Sequence, residues 1–385
     1  MDTKQAAREA VESAREDLVA LSHAIHARPE LAFEEKEAAA RVSDALSRAG
    51  FEVQAGICDL PTAFTATSGT GPLRVAICAE YDALPGIGHA CGHNIIAASA
   101  VGAAIGAAAV ADEAGLTVTV IGTPAEEGGG GKILLLERGA FDGFHVAMMV
   151  HPAPTESAEP PTLAVAHFDV QYHGKDAHAS AFPELGINAA DAITVAQTAI
   201  GLLRQHMRPD ERVHGIVTKG GDAPNIVPSH TSAKYYVRAA TLDDLDGFRR
   251  KVMNCLEAGA LATGATLEVG EKHPPYAHVA HDARIAALYR RNAEKLGREF
   301  PDPGPLARRA AGSTDMGNVS LVVPSIHPMI GIGSLPAVNH QPEFTAHCVT
   351  ATADKAMGDG AVAMALTAVD LATDPGLSRE LTARD

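Results

Sequence analysis

The sequence predicts an α/β protein in which a domain with a mainly parallel sheet is interrupted by a smaller, inserted α+β domain. Three apolar runs, at residues 73–79, 116–122 and 144–150, lack polar alternation, which is typical of strands buried on both faces of a parallel sheet. Helical stretches separate these runs, and strand–helix–strand order favours a parallel sheet. Proline-rich stretches at 151–162 and 271–282 mark where this pattern stops and where it resumes.

The parallel-sheet domain is predicted to begin with an amphipathic helix. Apolar residues recur at helical spacing from residue 4 to residue 27, and Pro29 ends this helix. The later elements of the same domain are predicted as helices at 94–115, 131–139 and 282–297 and as a strand at 325–333. The domain is therefore expected to comprise residues 1–162 and 273–385.

The inserted domain is predicted from a different order of elements. Strands are expected at 163–173, 212–219, 230–240 and 265–271, and helices at 187–206 and 243–260. The resulting order, β-α-β-β-α-β, is the split βαβ pattern of a ferredoxin-like sandwich. Residues 163–272 are therefore expected to form a domain with a sheet of its own.

Composition and charge exclude several classes of function. The chain has 31 basic and 47 acidic residues, a net charge of −16, without a basic run, so neither nucleic acid nor an anionic membrane surface is expected as a partner. No apolar run reaches the length of a membrane span, and the first residues do not resemble a signal peptide. Five scattered cysteines do not suggest a disulfide framework. A reduced, cytoplasmic protein is the simplest interpretation.

Residues that can bind a metal follow each of the three buried strands. Asp82 and the stretch GHACGHN at 88–94 follow the first strand, TPAEEGGGG at 123–131 follows the second, and His151 follows the third. The carboxyl ends of parallel strands form the ligand crevice of an open α/β sheet. The side chains expected to converge there are Asp82, Cys91, His93, Glu126, Glu127 and His151. A fourth strand leads to PAVNHQPEF, which adds His340 as a candidate.

The mixture of donors favours a transition metal. A thiolate, imidazoles and carboxylates suit one or two Zn²⁺ ions, with Mn²⁺ or Co²⁺ as alternatives, and a cysteine can bridge two ions. In the pair Glu126–Glu127, one carboxylate would bind metal while the other serves as a general base towards water. Two other interpretations remain open at this point. Cys91 could be a nucleophile activated by His89 or His93, or the loop could be polar without binding metal.

Six stretches together resemble the M20 metallopeptidases and amidohydrolases. They are HARPELAFEE at 26–35, CAEYDALPGIGHACGHN at 78–94, PAEEGGGG at 124–131, HP at 151–152, HGKDAHASAFPELGINAADA at 173–192 and NHQPEF at 339–344. The resemblance is strongest to the branch of that family that contains aminoacylases, auxin-conjugate hydrolases and p-aminobenzoyl-glutamate hydrolase. Much of that branch has aspartate where this chain has Asn94, and in this respect the chain is similar to a dipeptidase-like subgroup.

The resemblance implies a metal-dependent hydrolase of amide bonds in small substrates, either N-acyl amino acids or dipeptides, with two ions that are Zn²⁺ in the first instance. The implied metal ligands are Cys91, His93, Glu127, His151 and His340. Glu126 would be the general base and then the acid towards the leaving amine, and His178 would stabilise the tetrahedral oxyanion. Asn225 and Arg238 would hold the scissile carbonyl or a substrate carboxylate.

Further expectations concern neighbouring residues and assembly. Asp82 is expected to orient a metal ligand. The wider superfamily has His-x-Asp where this chain has Glu80 and Asp82, so Glu80 is not assigned as a ligand, and whether His89 contacts metal stays open. The inserted domain is implied to act as a lid, to form a homodimer contact and to carry His178 towards the partner's active site. The alternatives are a non-catalytic metal-binding relative and a thiol hydrolase that uses Cys91.

Overall fold

The computed structural model describes residues 2–271, 273–302 and 312–383. In chain order its strands are β1 (Glu52–Ala55), β2 (Phe64–Ser68), β3 (Leu73–Ala79), β4 (Leu116–Gly122), β5 (Val146–Met148), β6 (His151–Ala153), β7 (Ala164–His173), β8 (Arg212–Lys219), β9 (His230–Ala239), β10 (Thr266–Gly270), β11 (Ser325–Ile326) and β12 (Met329–Gly331). Its helices are α1 (Thr3–Ser13), α2 (Arg15–His26), α3 (Lys36–Arg48), α4 (His93–Ala108), α5 (Ala111–Ala114), α6 (Gly131–Glu137), α7 (Ala189–Leu203), α8 (Leu242–Thr263), α9 (Ala283–Glu294), α10 (Met316–Ser320), α11 (Pro342–His347), α12 (Ala351–Thr373) and α13 (Pro375–Thr382). Among these described helices, none is long and apolar enough to cross a membrane.

The chain divides into two compact units. Unit 1 comprises Met1–Pro161 and Val279–Asp385, and unit 2 comprises Thr162–His278. Unit 1 contains a sheet of order β1-β2-β4-β3-β5-β11, in which the pairs from β4 through β11 are parallel and the pairs β1–β2 and β2–β4 are antiparallel. Unit 2 contains an antiparallel sheet of order β10-β7-β9-β8. The predicted fold class, a mainly parallel sheet with an inserted α+β part, is confirmed.

Strand β3 shows why the central strands of unit 1 are apolar without alternation. Val75 and Ile77 belong to the core that also contains most of the buried residues of α4. Ala76 and Cys78 point to the opposite face of the sheet and belong to a second core with Phe141. Because both faces of β3 are covered, neither set of side chains can be polar.

Helices α4 and α12 pack closely through small residues. A Cβ atom added to Gly102 would lie 2.8 Å from the Cβ of Ala361, and one added to Gly106 would lie 2.9 Å from the Cβ of Ala365. Larger side chains at these positions would push the helices apart. Since α4 begins at His93, this packing fixes one end of the loop that carries the predicted metal ligands.

Three predicted elements differ from the observed ones. The helix predicted for 4–27 is interrupted at Ala14 and forms α1 and α2, and the helix predicted for 94–115 forms α4 and α5. The strand predicted for 325–333 is two short strands in different sheets, β11 beside β5 and β12 beside β6. Pro328 lies between them and lacks the N–H that a continuous ladder would need.

Candidate metal centre and active site

The ends of the strands in unit 1 bring the predicted ligands together. Among the described residues, three sets of side chains have ligand atoms that all lie within 4.8 Å of one another. They are Cys91–His93–His151, Cys91–Glu127–His340 and Glu80–His93–Glu126. The first two sets contain all five predicted ligands and share Cys91. The sulfur of Cys91 therefore lies where one thiolate could serve two ions.

Separations between individual donor atoms suit shared coordination. The Sγ of Cys91 lies 3.4 Å from the Nε2 of His151, and the Nε2 of His340 lies 3.4 Å from the Oε1 of Glu127. The Nε2 of His93 lies 3.9 Å from the same Glu127 oxygen. Ligand bonds of about 2.0–2.3 Å at tetrahedral angles place neighbouring donors roughly 3.3–3.8 Å apart. The Cys91–His151 and His340–Glu127 separations fall within this range, so each pair could share a cation. The His93–Glu127 separation falls just outside it, as expected for residues of two different donor sets.

Two imidazoles are oriented by their Nδ1 atoms. The Nδ1 of His93 contacts the Oδ1 of Asp82 at 2.9 Å, and the Nδ1 of His151 contacts the carbonyl oxygen of Pro152 at 2.8 Å. In both rings Nε2 is left to face the other donors, the usual arrangement of a metal-binding histidine. The second oxygen of Asp82 accepts the backbone N–H of Glu127 at 2.9 Å. Asp82 therefore links His93 to the Glu126 loop, by which we mean residues 124–130.

Buried polar atoms without partners also fit a cation. Within the part of the chain that the structure describes, neither His93 Nε2 nor Glu80 Oε2 has a hydrogen-bond partner. Burial would lower the pKa of His93, but the charges of Asp82 and Glu80 raise it well above its usual range. The site holds an excess of negative charge, and a divalent ion would offset it. The residues present therefore fit a transition-metal centre.

The paired glutamates differ in their electrostatics. Burial, followed by the charges of Glu80 and Glu127, raises the pKa of Glu126 well above its usual range. Burial alone would raise the pKa of Glu127 as well, but pairing with His340 and the charge of His93 lower it. Glu127 is thus the better anionic ligand. Glu126 holds a proton more readily, which suits a group that takes a proton from water and later gives it up.

The environment of Cys91 disfavours a free thiolate. Burial and the charge of Glu127 raise the pKa of the Cys91 thiol well above its usual range. A nucleophilic cysteine needs a lowered pKa, as provided by a nearby cation or helix N-terminus. A bound metal ion, in contrast, deprotonates a thiol outright. The raised pKa disfavours Cys91 as a free nucleophile even though α4 begins two residues later, and the two donor sets that share its sulfur favour it as a ligand.

A buried charge network that the sequence did not reveal lies beside these donors. The Nζ of Lys132 lies 2.5 Å from Glu80 Oε1 and 2.7 Å from Asp315 Oδ1, and all three side chains are fully buried. Asp315 also accepts the backbone N–H of Lys132, at 2.8 Å. Lys132 thereby fixes Glu80, whose other oxygen lies 3.4 Å from His93 Nε2. We call these three residues the Lys132 network.

Two further histidines near the site are buried. His89 lies outside the three donor sets found among the described residues, and its ring stacks on that of His26 with centroids 6.0 Å apart. Burial lowers the pKa of His89 to about 3, so the ring is neutral. His327, which no sequence pattern singled out, has its ring centroid 5.3 Å from that of His151. It follows the end of β11 by one residue, a position that resembles that of the predicted ligands.

The predicted residues of unit 2 lie on exposed loops and on one strand. The Nδ1 of His178 accepts the backbone N–H groups of Ser180 and Ala181, at 3.3 and 3.2 Å. The backbone of Asn225 is adjacent, because its carbonyl oxygen accepts the N–H of Ala179 at 3.0 Å. Arg238 lies half-buried on β9, where burial lowers its pKa. Their roles towards substrate stay predictions.

Comparison with known proteins identifies the family. The family model for "Peptidase family M20/M25/M40" matches residues 76–366, which include most of both units. The chain belongs to this family. It is 42% identical to the Xaa-Arg dipeptidase of Mus musculus, over 97% of this chain and 90% of the mouse enzyme. It is 34% identical to a p-aminobenzoyl-glutamate hydrolase subunit of Escherichia coli (strain K12), over 68% of this chain and 58% of that protein.

A solved structure from the same family has the same fold. The crystal structure of the Bacillus subtilis YXEP protein, described as a dinuclear metal binding peptidase from M20 family, superposes with a TM-score of 0.71 at 21% identity, over 94% of this chain and 99% of that one. The predicted family is confirmed, and so is the predicted enzyme class. This M20 family member is a hydrolase of amide bonds in small substrates, as the sequence resemblance implied.

Proposed function

We propose that this M20 family member is a dipeptidase with two divalent metal ions, Zn²⁺ in the first instance and Mn²⁺ or Co²⁺ as alternatives. The proposed ligands are Cys91, His93, Glu127, His151 and His340. The observation that carries the proposal is that Cys91 is shared by two donor sets while the carboxyl of Glu126, which belongs to neither of them, lies 3.9 Å from His93 Nε2. A shared thiolate and an adjacent carboxyl suit a two-ion hydrolase.

Bound divalent ions would act as Lewis acids that make water more acidic and polarise the scissile carbonyl. Glu126 takes one proton from the attacking water and gives it to the nitrogen when the C–N bond breaks. Asp82 keeps His93 in the tautomer whose Nε2 faces the donors. In His178, acceptance of two backbone N–H groups at Nδ1 leaves the proton on Nε2, so the ring can donate a hydrogen bond to the oxyanion.

The proposed substrates are dipeptides, and those with a basic C-terminal residue are expected to be preferred. The chain aligns over nearly its whole length with the mouse Xaa-Arg dipeptidase. Its net charge of −16 favours encounter with cationic substrates. Arg238, supported by Asn225, would bind the free carboxylate of the substrate through the fork of its guanidinium group. Aminoacylase activity towards N-acyl amino acids is the competing specificity.

The test combines metal analysis with a substrate panel. Purified protein should contain one to two equivalents of metal, and EDTA should abolish hydrolysis until Zn²⁺ or Mn²⁺ is restored. Dipeptides ending in Arg or Lys should be cleaved at higher kcat/KM than dipeptides ending in Ala or Glu and than N-acetyl amino acids. Turnover that survives EDTA in metal-free protein would refute the metal-dependent mechanism, and a preference for N-acetyl amino acids would refute the dipeptidase assignment.

A substitution at Glu126 tests its proposed role as the general base. Glu126→Gln should lose at least about 10²-fold in kcat, the usual contribution of a general base, while its metal content stays unchanged. Glu113→Gln, on the exposed side of α5, is the matched control and should keep full activity. An active Glu126→Gln enzyme would show that another group takes the proton.

We further propose that unit 2 serves as a lid and forms a homodimer contact, and that the enzyme works in the cytoplasm. Strand β8 lies at the edge of its sheet, and Ile216 and Val217 on it are 64% and 41% exposed. Exposed apolar edge strands favour pairing with another chain. All five cysteines are free thiols, which suits a reducing compartment. Light scattering should give a dimer mass for the wild type, and Ile216→Lys should shift it to the monomer; a monomeric wild type would refute the dimer.

A further inference from the structure

We propose that Glu35 is a positioning residue for the reaction: its carboxylate holds the Glu126 loop in the conformation that presents Glu126 to the substrate water. This inference rests on the proposed function, because it assumes that Glu126 moves the proton. Glu35 lies in the stretch between α2 and α3, far along the chain from the donors, and the mechanism described above does not use it.

The carboxylate of Glu35 is fully buried and accepts three hydrogen bonds. Its Oε1 atom accepts the backbone N–H of Ala125 at 2.8 Å and that of Phe33 at 2.9 Å. Its Oε2 atom accepts the hydroxyl of Thr62 at 3.1 Å. One oxygen thus connects the stretch before α3 directly to the residue that precedes Glu126.

Both backbone donors are non-glycine residues in the left-handed region. Ala125 has φ 59° and Phe33 has φ 65°. Residues with a Cβ avoid this region unless surrounding contacts hold them there. Because the dihedral angles of Ala125 set the direction in which the chain continues, the bond to Glu35 helps to determine where the Glu126 side chain points.

A second contact joins the same two segments. A Cβ atom added to Gly129 would lie 2.3 Å from Cε2 of Phe33 and 2.8 Å from the Cβ of Ala125. The Phe33 ring therefore packs directly on the Glu126 loop, and this close approach requires glycine at position 129. Since Glu35 fixes the backbone of Phe33 as well as that of Ala125, one carboxylate holds both sides of this contact.

The hydrogen bonds need an acceptor oxygen rather than a negative charge. Glutamine has the same length, so its amide oxygen can accept from Ala125 and Phe33 while its NH₂ group donates to the Thr62 hydroxyl. Alanine offers no acceptor. Glu30 provides a matched control, because its carboxylate also accepts two backbone N–H groups, those of Glu37 and Ala38, but these lie at the start of α3 and not in the Glu126 loop.

The experiment compares Glu35→Ala, Glu35→Gln and Glu30→Ala in the metal-loaded enzyme. Misplacing a reacting group by about 1 Å lowers rates roughly 10²-fold, so Glu35→Ala is expected to lose about 10- to 100-fold in kcat with KM and metal content nearly unchanged. Glu35→Gln and Glu30→Ala should stay within about 3-fold of the wild type. Hydrogen exchange of the Ala125 amide, resolved by mass spectrometry with fragmentation, should be faster in Glu35→Ala alone.

Each contrary result has a defined meaning. Wild-type kcat and slow Ala125 exchange in Glu35→Ala would overturn the proposal, as would an equal loss of kcat in Glu30→Ala or in Glu35→Gln. If Glu35→Ala does not fold, hydrogen exchange of the Ala125 amide in the wild type tests the proposal instead. Exchange as fast as that of an exposed loop amide would show that Glu35 does not hold Ala125. Activity of Glu126→Gln tests the proposed function separately. A dead Glu126→Gln together with a fully active Glu35→Ala refutes only the positioning role.

Discussion

Replacing Lys132 with methionine should destabilise the protein strongly, because it leaves two buried carboxylates without a cation. Glu80 and Asp315 lie 2.5 and 2.7 Å from Lys132 Nζ, and none of the three side chains is exposed. Removing one partner from a buried ion pair costs about 3–5 kcal/mol. With a slope near 3 kcal/mol per M urea, the unfolding midpoint should fall by roughly 1–2 M.

The stability that Lys132→Met loses should be larger at higher pH. Burial would lower the pKa of Lys132, but Asp315 and Glu80 raise it well above its usual range, so its contribution is fully present below about pH 10. In Lys132→Met the two carboxyls would have raised pKa values, and their protonation at low pH would relieve the penalty. The deficit should therefore be larger at pH 8 than at pH 5.

The assay is urea unfolding followed by circular dichroism in EDTA, with Lys355→Met as the matched control. Lys355 is 60% exposed and pairs with Asp359 at 2.6 Å, so its loss should cost less than about 1 kcal/mol. A Lys132→Met midpoint equal to that of the control at pH 8 would show that the buried network contributes no more than a surface pair.

Two further predictions concern helix packing and the titration of Glu35. Gly106→Ala should destabilise the protein by about 1–3 kcal/mol, because the added Cβ would lie 2.6 Å from Val11 Cγ2 and 2.9 Å from Ala365 Cβ. Gly201→Ala is the control, because a Cβ added at this helix position would have no neighbouring atom within 4 Å. This variant should be neutral or more stable by up to about 1 kcal/mol. Equal midpoints in thermal unfolding would contradict this contrast. Burial raises the pKa of Glu35 to about 7 from 4.5. Because the folded state holds this proton more tightly than the unfolded chain does, the free energy of unfolding of the wild type should fall by up to about 3 kcal/mol as the pH rises through this interval. Glu35→Gln has no titrating group at this position and should not show this fall in stability. Identical pH–stability curves for the two proteins would contradict the raised pKa of Glu35.

The sequence was sufficient to group the candidate metal ligands of unit 1, because topology alone brings strand ends together. Asp82, the Cys91 loop, the Glu126 loop and His151 each follow a central strand, and no knowledge of side-chain packing was needed to group them. The family resemblance then separated the functions of Glu126 and Glu127. In the structure, His340 pairs with Glu127, and the pKa values of the two glutamates shift in opposite directions. The division of roles stays a prediction.

The contacts that support the site could not be predicted, because they join residues far apart in sequence. Lys132 and Asp315 are 183 positions apart, and Glu35 and Ala125 are 90 apart. A lysine next to an apolar helix usually belongs to a solvated surface, and no local pattern indicates that its charge is buried. Helix α12 was missed for a related reason, since it is buried nearly all round and has no polar face to give a helical period.

The packing of α4 on α12 has a consequence for the entropy of the site. Alanine and glycine have no side-chain rotamers, so the contacts of Gly102 with Ala361 and of Gly106 with Ala365 immobilise no side-chain freedom. An interface of leucines would offer alternative rotamer combinations and thus several closely related helix positions. Close backbone contact at these positions therefore limits how far the helix that begins at His93 can shift, and with it the position of the His93 imidazole.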